Sequence, residues 1–183
     1  MSLISPLPKT DANPQVKEKL ENIEEAFGML PNIIGVMARS EATLDMYMSM
    51  EGALDSGELS KPQREMIALA VSQANECRYC VSAHTDFCSG LGLDTTDIIK
   101  SRLCEADNPK DQAMLDLAVS IVENRGQVSE EQVGEAREAG LTDSLILEVF
   151  SYTIFVIMGN YINHLARIDI CLLYTSPSPR DRG

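Results

Sequence analysis

Apolar positions recur along this chain at the helical period, and polar caps mark out one segment after another. Asn13-Pro14 supplies an N-cap and an N1 proline for a helix running to about Phe27, with Val16, Leu20, Ile23 and Phe27 on one face. A short segment follows Pro31, and Ser40 then caps a helix bearing Leu44, Tyr47, Met48 and Leu54. Ser60-Lys61-Pro62-Gln63 has the form of a capping box opening a helix over 62–74. Asn75 is expected to cap the next helix and Gly90 to end it. Asp94 with Asp97, Asn108-Pro109, Ser129 with Gln132, and Thr142 each open a further helix, while Gly126 and Gly140 close two of them. No stretch shows strand alternation beside a hairpin turn. The reading is an all-α single domain over residues 1–170, of about seven helices joined by short loops.

The most apolar helix is expected over 145–168 and should lie at the centre of the fold. Its apolar run at 149–158 is too short to span a bilayer and is interrupted by Ser151, Tyr152 and Thr153, so no membrane role is expected. The Glu-rich segment 129–139 reads as a solvated helix face. From Cys171 onward the helical pattern stops at Cys-Leu-Leu-Tyr-Thr-Ser-Pro-Ser-Pro-Arg-Asp. Codons able to encode that string can spell a sequencing-library adapter of the transposase type. Residues 171–183 are therefore read as a non-native tail, the alternative being a disordered Ser/Pro/Arg extension, and are excluded from the fold.

Composition supports the helical reading. The 183 residues are 44% hydrophobic and 23% charged, globular proportions, with 5% aromatics, no Trp and nine Met. A net charge of −13 makes nucleic acid a poor partner, and removing the tail makes the balance one charge more negative. The first ten residues carry two prolines and neither a basic nor an apolar leader segment, so the expected location is the cytoplasm. In that reducing compartment a cysteine cluster points to catalysis or metal binding rather than to a structural staple.

Such a cluster lies between Glu65 and Cys88. Cys77, Cys80 and His84 are spaced three and four apart, so on one helix they share a face. With Asn75 as the cap, Cys77 would sit in the first turn, where free N–H groups and the helix dipole favour a thiolate. A disulfide between the two cysteines is within reach, and His84 could serve as base for the Cys80 sulfur. Glu65, on the preceding helix, could fix the imidazole tautomer if the two helices form a hairpin. The proposed relay runs Glu65 to His84 to Cys80. The same residues admit a zinc reading, because one CxxC and one His supply three ligands and Cys88 is a candidate fourth. Cys88 and Cys104 otherwise read as small buried hydrophobes, and Arg78 as an exposed residue. His164 fits a structural hydrogen-bonding group as well as a site or interface residue.

The pattern E-x11-C-x2-C-x3-H, here Glu65, Cys77, Cys80 and His84, resembles the core of the alkylhydroperoxidase D and carboxymuconolactone decarboxylase superfamily. Leu30-Pro31-Asn32-Ile33 and Asn160-Tyr161-Ile162-Asn163-His164-Leu165-Ala166 resemble its peroxidase-related branch, so the likeness covers roughly residues 20 to 170. Ile168-Asp169-Ile170 begins the acidic end usual there and is then cut off.

The resemblance implies a helical subunit forming a homo-oligomer, often a trimer, and a thiol peroxidase cycle on organic hydroperoxides with no bound cofactor or metal. Cys80 would attack the peroxide, Cys77 would resolve the sulfenic acid as a disulfide, and Glu65 with His84 would move the proton. An external dithiol, lipoyl-linked in the best-known members, would act as the reductant. One departure stands out: the well-known peroxidase has a histidine between the cysteines where this chain has Tyr79, a poor base near neutral pH. The alternatives are a general disulfide oxidoreductase, a redox sensor and a decarboxylase-type lyase. Lactone decarboxylases of the superfamily generally lack the cysteine pair. The last apolar helix and the Met-rich segment 46–50 are the expected subunit contacts.

Overall fold

The computed structural model describes residues 2–169, so the tail at 171–183, with Cys171, lies outside the described residues. After a 3-10 turn at Lys9–Asp11, nine α-helices follow: α1 (Pro14–Phe27), α2 (Asn32–Met37), α3 (Glu41–Asp55), α4 (Lys61–Ala74), α5 (Arg78–Gly90), α6 (Thr95–Arg102), α7 (Pro109–Glu123), α8 (Glu130–Glu138) and α9 (Asp143–Ala166). Among the described residues there is no strand. Two of the helices, α2 and α6, have only six and eight residues, which is why the count exceeds seven.

The polar caps do what their chemistry requires. Asn13, Ser40, Asp94, Asn108 and Thr142 each accept a hydrogen bond from a first-turn N–H. Ser60 with Gln63 and Ser129 with Gln132 form complete capping boxes. Asn75 departs from expectation. It is the C-cap of α4, the next residue Glu76 takes φ 56°, and Cys77 is the N-cap of α5, its sulfur accepting from the Cys80 N–H at 3.4 Å. A left-handed residue directly after the α4 cap reverses the chain, so the N-terminus of α5 begins two residues later than Asn75 would have placed it.

The main core joins α4, α7 and α9 through fully buried Ile67, Ala68, Val71, Met114, Leu115, Ala118 and Val149. A second cluster ties α1 to α2 and α3 through Val16, Leu20, Ile23, Ile34, Met37 and Leu44. Phe27 does not join it. At 46% exposed it packs its ring 6.0 Å from that of Phe87 instead, because α1 ends at Gly28 just as its face reaches the rim of a cleft.

Helix α9 is 24 residues long and begins and ends two residues earlier than expected. Its length and mean hydropathy of 1.7 over 18 residues would suit a membrane span, but it packs against α2, α3, α4, α5 and α7 as the central helix of the bundle. Two asparagines interrupt its buried face. Asn160, 1% exposed, accepts from Asn75 Nδ2 at 2.9 Å and donates to Ser72 Oγ at 3.1 Å, so α9 clamps the corner between α4 and α5. Asn160→Ala leaves both partners unpaired and opens a void. The expected loss is about 2–4 kcal/mol, read as a fall of roughly 5–15 °C in the thermal midpoint.

Candidate active site

The corner sets α4 and α5 side by side. Glu65, in the middle of α4, meets His84, one turn beyond Cys80 on α5, with Glu65 Oε2 2.7 Å from His84 Nδ1. An ionised carboxylate can only accept, so against it Nδ1 carries the hydrogen, and in the neutral imidazole Nε2 keeps its lone pair. Both side chains are mostly buried, at 16% and 19% exposed, and the edge of the His84 ring contacts Phe87. Cys77 and Cys80 are joined as a disulfide across one turn, with Cα atoms 5.3 Å apart. Both are buried, among Val36, Tyr79, Ala166 and Ile168.

The two sulfurs are not equivalent. Cys80 lines a cleft of about 830 Å³, a size suited to a small organic ligand, whereas Cys77 is 1% exposed at the helix cap behind it. Ile23, Phe27, Ile33, Phe87 and Phe155 give the cleft an apolar wall. Glu65 and His84 line the same cleft with Glu51, Asp55, Arg64, Tyr47 and Tyr152, and the Tyr47 ring stacks on Phe155 at 4.6 Å. Arg64 is buried and paired with Asp55. Burial, with the carboxylates of Asp55 and Glu65, pushes the Glu51 carboxyl above its usual range, while Arg64 pulls the other way. Burial likewise raises the Tyr47 and Tyr152 phenols, with nearby acidic groups adding to the effect.

One further side chain reaches the reactive sulfur from α9. Asn163 Nδ2 lies 3.2 Å from Cys80 Sγ. Glu51, Arg64 and Tyr152 are therefore site residues that the sequence reading did not assign, and Asn160 and Asn163 entered it only as part of the motif at 160–166. The available signal was the pair of asparagines three apart in the most apolar helix, where a polar residue needs a reason to be buried.

The other singled-out residues stand elsewhere. Cys88 is fully buried one turn beyond His84 on α5, packed with Leu69 and Ile98, and is not grouped with the pair as a fourth ligand. Among the described residues no three His, Cys, Asp or Glu side chains are grouped to hold a metal ion. Cys104 is half-buried rather than part of the core, has φ 60°, and its thiol faces Asp116 at 3.6 Å. His164 lies on the exposed face of α9, stacked on Tyr161. Arg78 is exposed and Tyr79 buried.

Burial pushes the thiols of Cys88 and Cys104 up to about 12. A thiol titrating there is ionised to about one part in ten thousand at pH 8. After reduction, iodoacetamide at pH 8 should label the Cys77 and Cys80 peptide while Cys88 and Cys104 stay unlabelled until the protein is denatured, as peptide mass mapping would show.

The carboxymuconolactone decarboxylase family model matches residues 41–103, a span that holds Glu65, Cys77, Cys80 and His84. Solved structures match over nearly the whole chain. An uncharacterized peroxidase-related protein from Silicibacter sp. TM1040 is 26% identical with a TM-score of 0.79, covering 89% of this chain and 88% of that one. The alkylhydroperoxidase AhpD core of an uncharacterized peroxidase-related protein from Ralstonia eutropha JMP134 is 24% identical with a TM-score of 0.80, covering 91% and 92%. The debrominase Bmp8 shares the fold at 20% identity and a TM-score of 0.78, covering 92% and 91%.

Proposed function

We propose that the chain is a member of the alkylhydroperoxidase D and carboxymuconolactone decarboxylase superfamily, on its peroxidase-related branch, and from that premise that it is a thiol peroxidase reducing organic hydroperoxides. The observation that carries the reading is the Cys77–Cys80 disulfide, with Cys80 alone of the two on the cleft wall and a Glu65–His84 hydrogen bond beside it. A lyase has no use for a redox pair at that place. A debrominase on the same fold shows that the scaffold can serve other chemistry, and the peroxide itself is therefore what the experiment must test.

In the reduced protein, His84 Nε2 takes the Cys80 proton while Glu65 holds the ring by its Nδ1–H. The Cys80 thiolate attacks one peroxide oxygen, the O–O bond breaks, and the alkoxide leaves with the proton held on His84, giving an alcohol and Cys80 sulfenic acid. The Cys77 thiol then displaces water from that sulfur and the disulfide forms. A dithiol, supplied by a partner and oxidised in turn to its own disulfide, restores the pair. The apolar wall of the cleft fits the organic part of a hydroperoxide.

Stopped-flow mixing of reduced protein with cumene hydroperoxide should consume one peroxide and two thiols per chain. Cys80→Ser should abolish the reaction, and Glu65→Gln should slow it by about 10²–10⁴. A reduced protein no faster than free cysteine would overturn the reading.

We further propose that copies of the chain associate through α9, as a trimer in keeping with the family resemblance. Leu147, Phe150, Ile154, Tyr161 and Leu165 are 38–66% exposed and fall at helical spacing on one face. The Met-rich segment contributes less than expected, since only Met46 is exposed while Met48 and Met50 pack inward. Leu147→Glu with Leu165→Glu should lower the mass seen by sedimentation to that of one chain. An unchanged mass would remove α9 from the contact.

A further inference from the structure

Asn163 is 5% exposed and makes two hydrogen bonds through one nitrogen. Its Nδ2 donates to the Gly159 carbonyl at 3.0 Å, one turn back on α9, and to Cys80 Sγ at 3.2 Å. The carbonyl fixes which way the amide faces, because the reverse orientation would set two acceptor oxygens against each other. Its Oδ1 is buried with no hydrogen-bond partner among the described residues. A buried amide left half-satisfied weakens the helix packing relative to an aliphatic side chain of similar size. Asn160, three residues earlier, uses both of its polar atoms to hold the α4–α5 corner. The fold thus has a structural account of Asn160 and none of Asn163, whose one distinctive contact is with sulfur.

We infer that Asn163 is a further catalytic residue, the N–H donor that stabilises the Cys80 thiolate once the disulfide is opened. The inference rests on the proposed chemistry at Cys80 and names the group that supplies its nucleophile. A hydrogen bond to a thiolate is stronger than one to a neutral thiol, so a donor already in place favours ionisation. The titratable groups lining the same cleft are Tyr47, Glu51 and Asp55 on α3, Lys61, Arg64 and Glu65 on α4, His84 and Asp86 on α5 and Tyr152 on α9. The apolar cluster that holds Cys80 takes Val36 and Ile33 from α2 and Ala166 and Ile162 from α9, and α9 adds the Asn163 amide at the sulfur. Cys77 and Tyr79 are the titratable neighbours on its own helix segment. Asn163 is thus the neutral donor that reaches the sulfur directly across the helix interface.

The experiment uses the whole chain with Cys77→Ser, so that Cys80 is a single thiol at the site. The pH dependence of chloroacetamide labelling at Cys80 is read by mass spectrometry of its peptide, with and without Asn163→Leu. Loss of the donor should raise the labelling midpoint by about one to two pH units. The rate of oxidation by cumene hydroperoxide at neutral pH should fall about ten- to a hundredfold. A purely structural role would move the thermal midpoint and leave the labelling midpoint where it was, and that result overturns the proposal. Asn163→Ala repeats the measurement without added bulk if the leucine variant does not fold. The labelling midpoint needs no peroxide, so a protein inert to hydroperoxides would sink the proposed function while this test still gave its own answer.

Discussion

The arrangement depends on one buried polar clamp. Asn160 on α9 ties Ser72 near the end of α4 to Asn75 at its cap, at the point where the chain turns through Glu76 into α5. Hydrogen bonds inside a dry helix interface are costly to leave unmade, so the clamp defines the corner more sharply than apolar packing alone would. With the corner fixed, α4 and α5 run as neighbours, and a carboxylate from one can meet an imidazole from the other. The same contact brings the interior face of α9 up to the disulfide. Corner, relay and cleft are therefore consequences of a single junction among three helices.

Cys77 has two tasks in that junction. It closes the redox pair, and its sulfur stands where Ser, Asn or Asp would ordinarily accept the first free N–H of a helix. Sulfur is a weak acceptor when neutral and a stronger one when ionised. The start of α5 is thus electrically coupled to the state of the pair, and Cys80 sits in the turn that this cap orders. Arg64 and Asp55 form an ion pair in the lining of the cleft, which also carries aromatic rings.

Much of this was legible in the sequence because it is local. Caps at Asn13, Ser40, Ser60, Asp94, Asn108, Ser129 and Thr142 depend on a few adjacent residues, and each opens the helix its neighbours call for. The meeting of Glu65 with His84 was readable from spacing plus a short connection. The misplaced cap at Asn75 was not, since Asn is the better capping residue and only the left-handed Glu76 makes Cys77 take over. Phe27 kept the helical period yet lines the cleft, because the period reports a face and not what covers it. Asn163 acquires meaning only through a distant partner, since it lies 83 positions from the sulfur it touches.

The placement of Cys80, and not Cys77, on the cleft lining bears on how the catalyst would be recycled. Under the proposed cycle the oxidant enters along the apolar wall, and the disulfide it leaves behind presents Cys80 to that same entrance while Cys77 stays behind it. In the same cycle a reductant would reach Cys80 by the opening that admits the hydroperoxide. In that cycle oxidant and reductant would compete for one opening, and the two half-reactions would alternate in a double displacement.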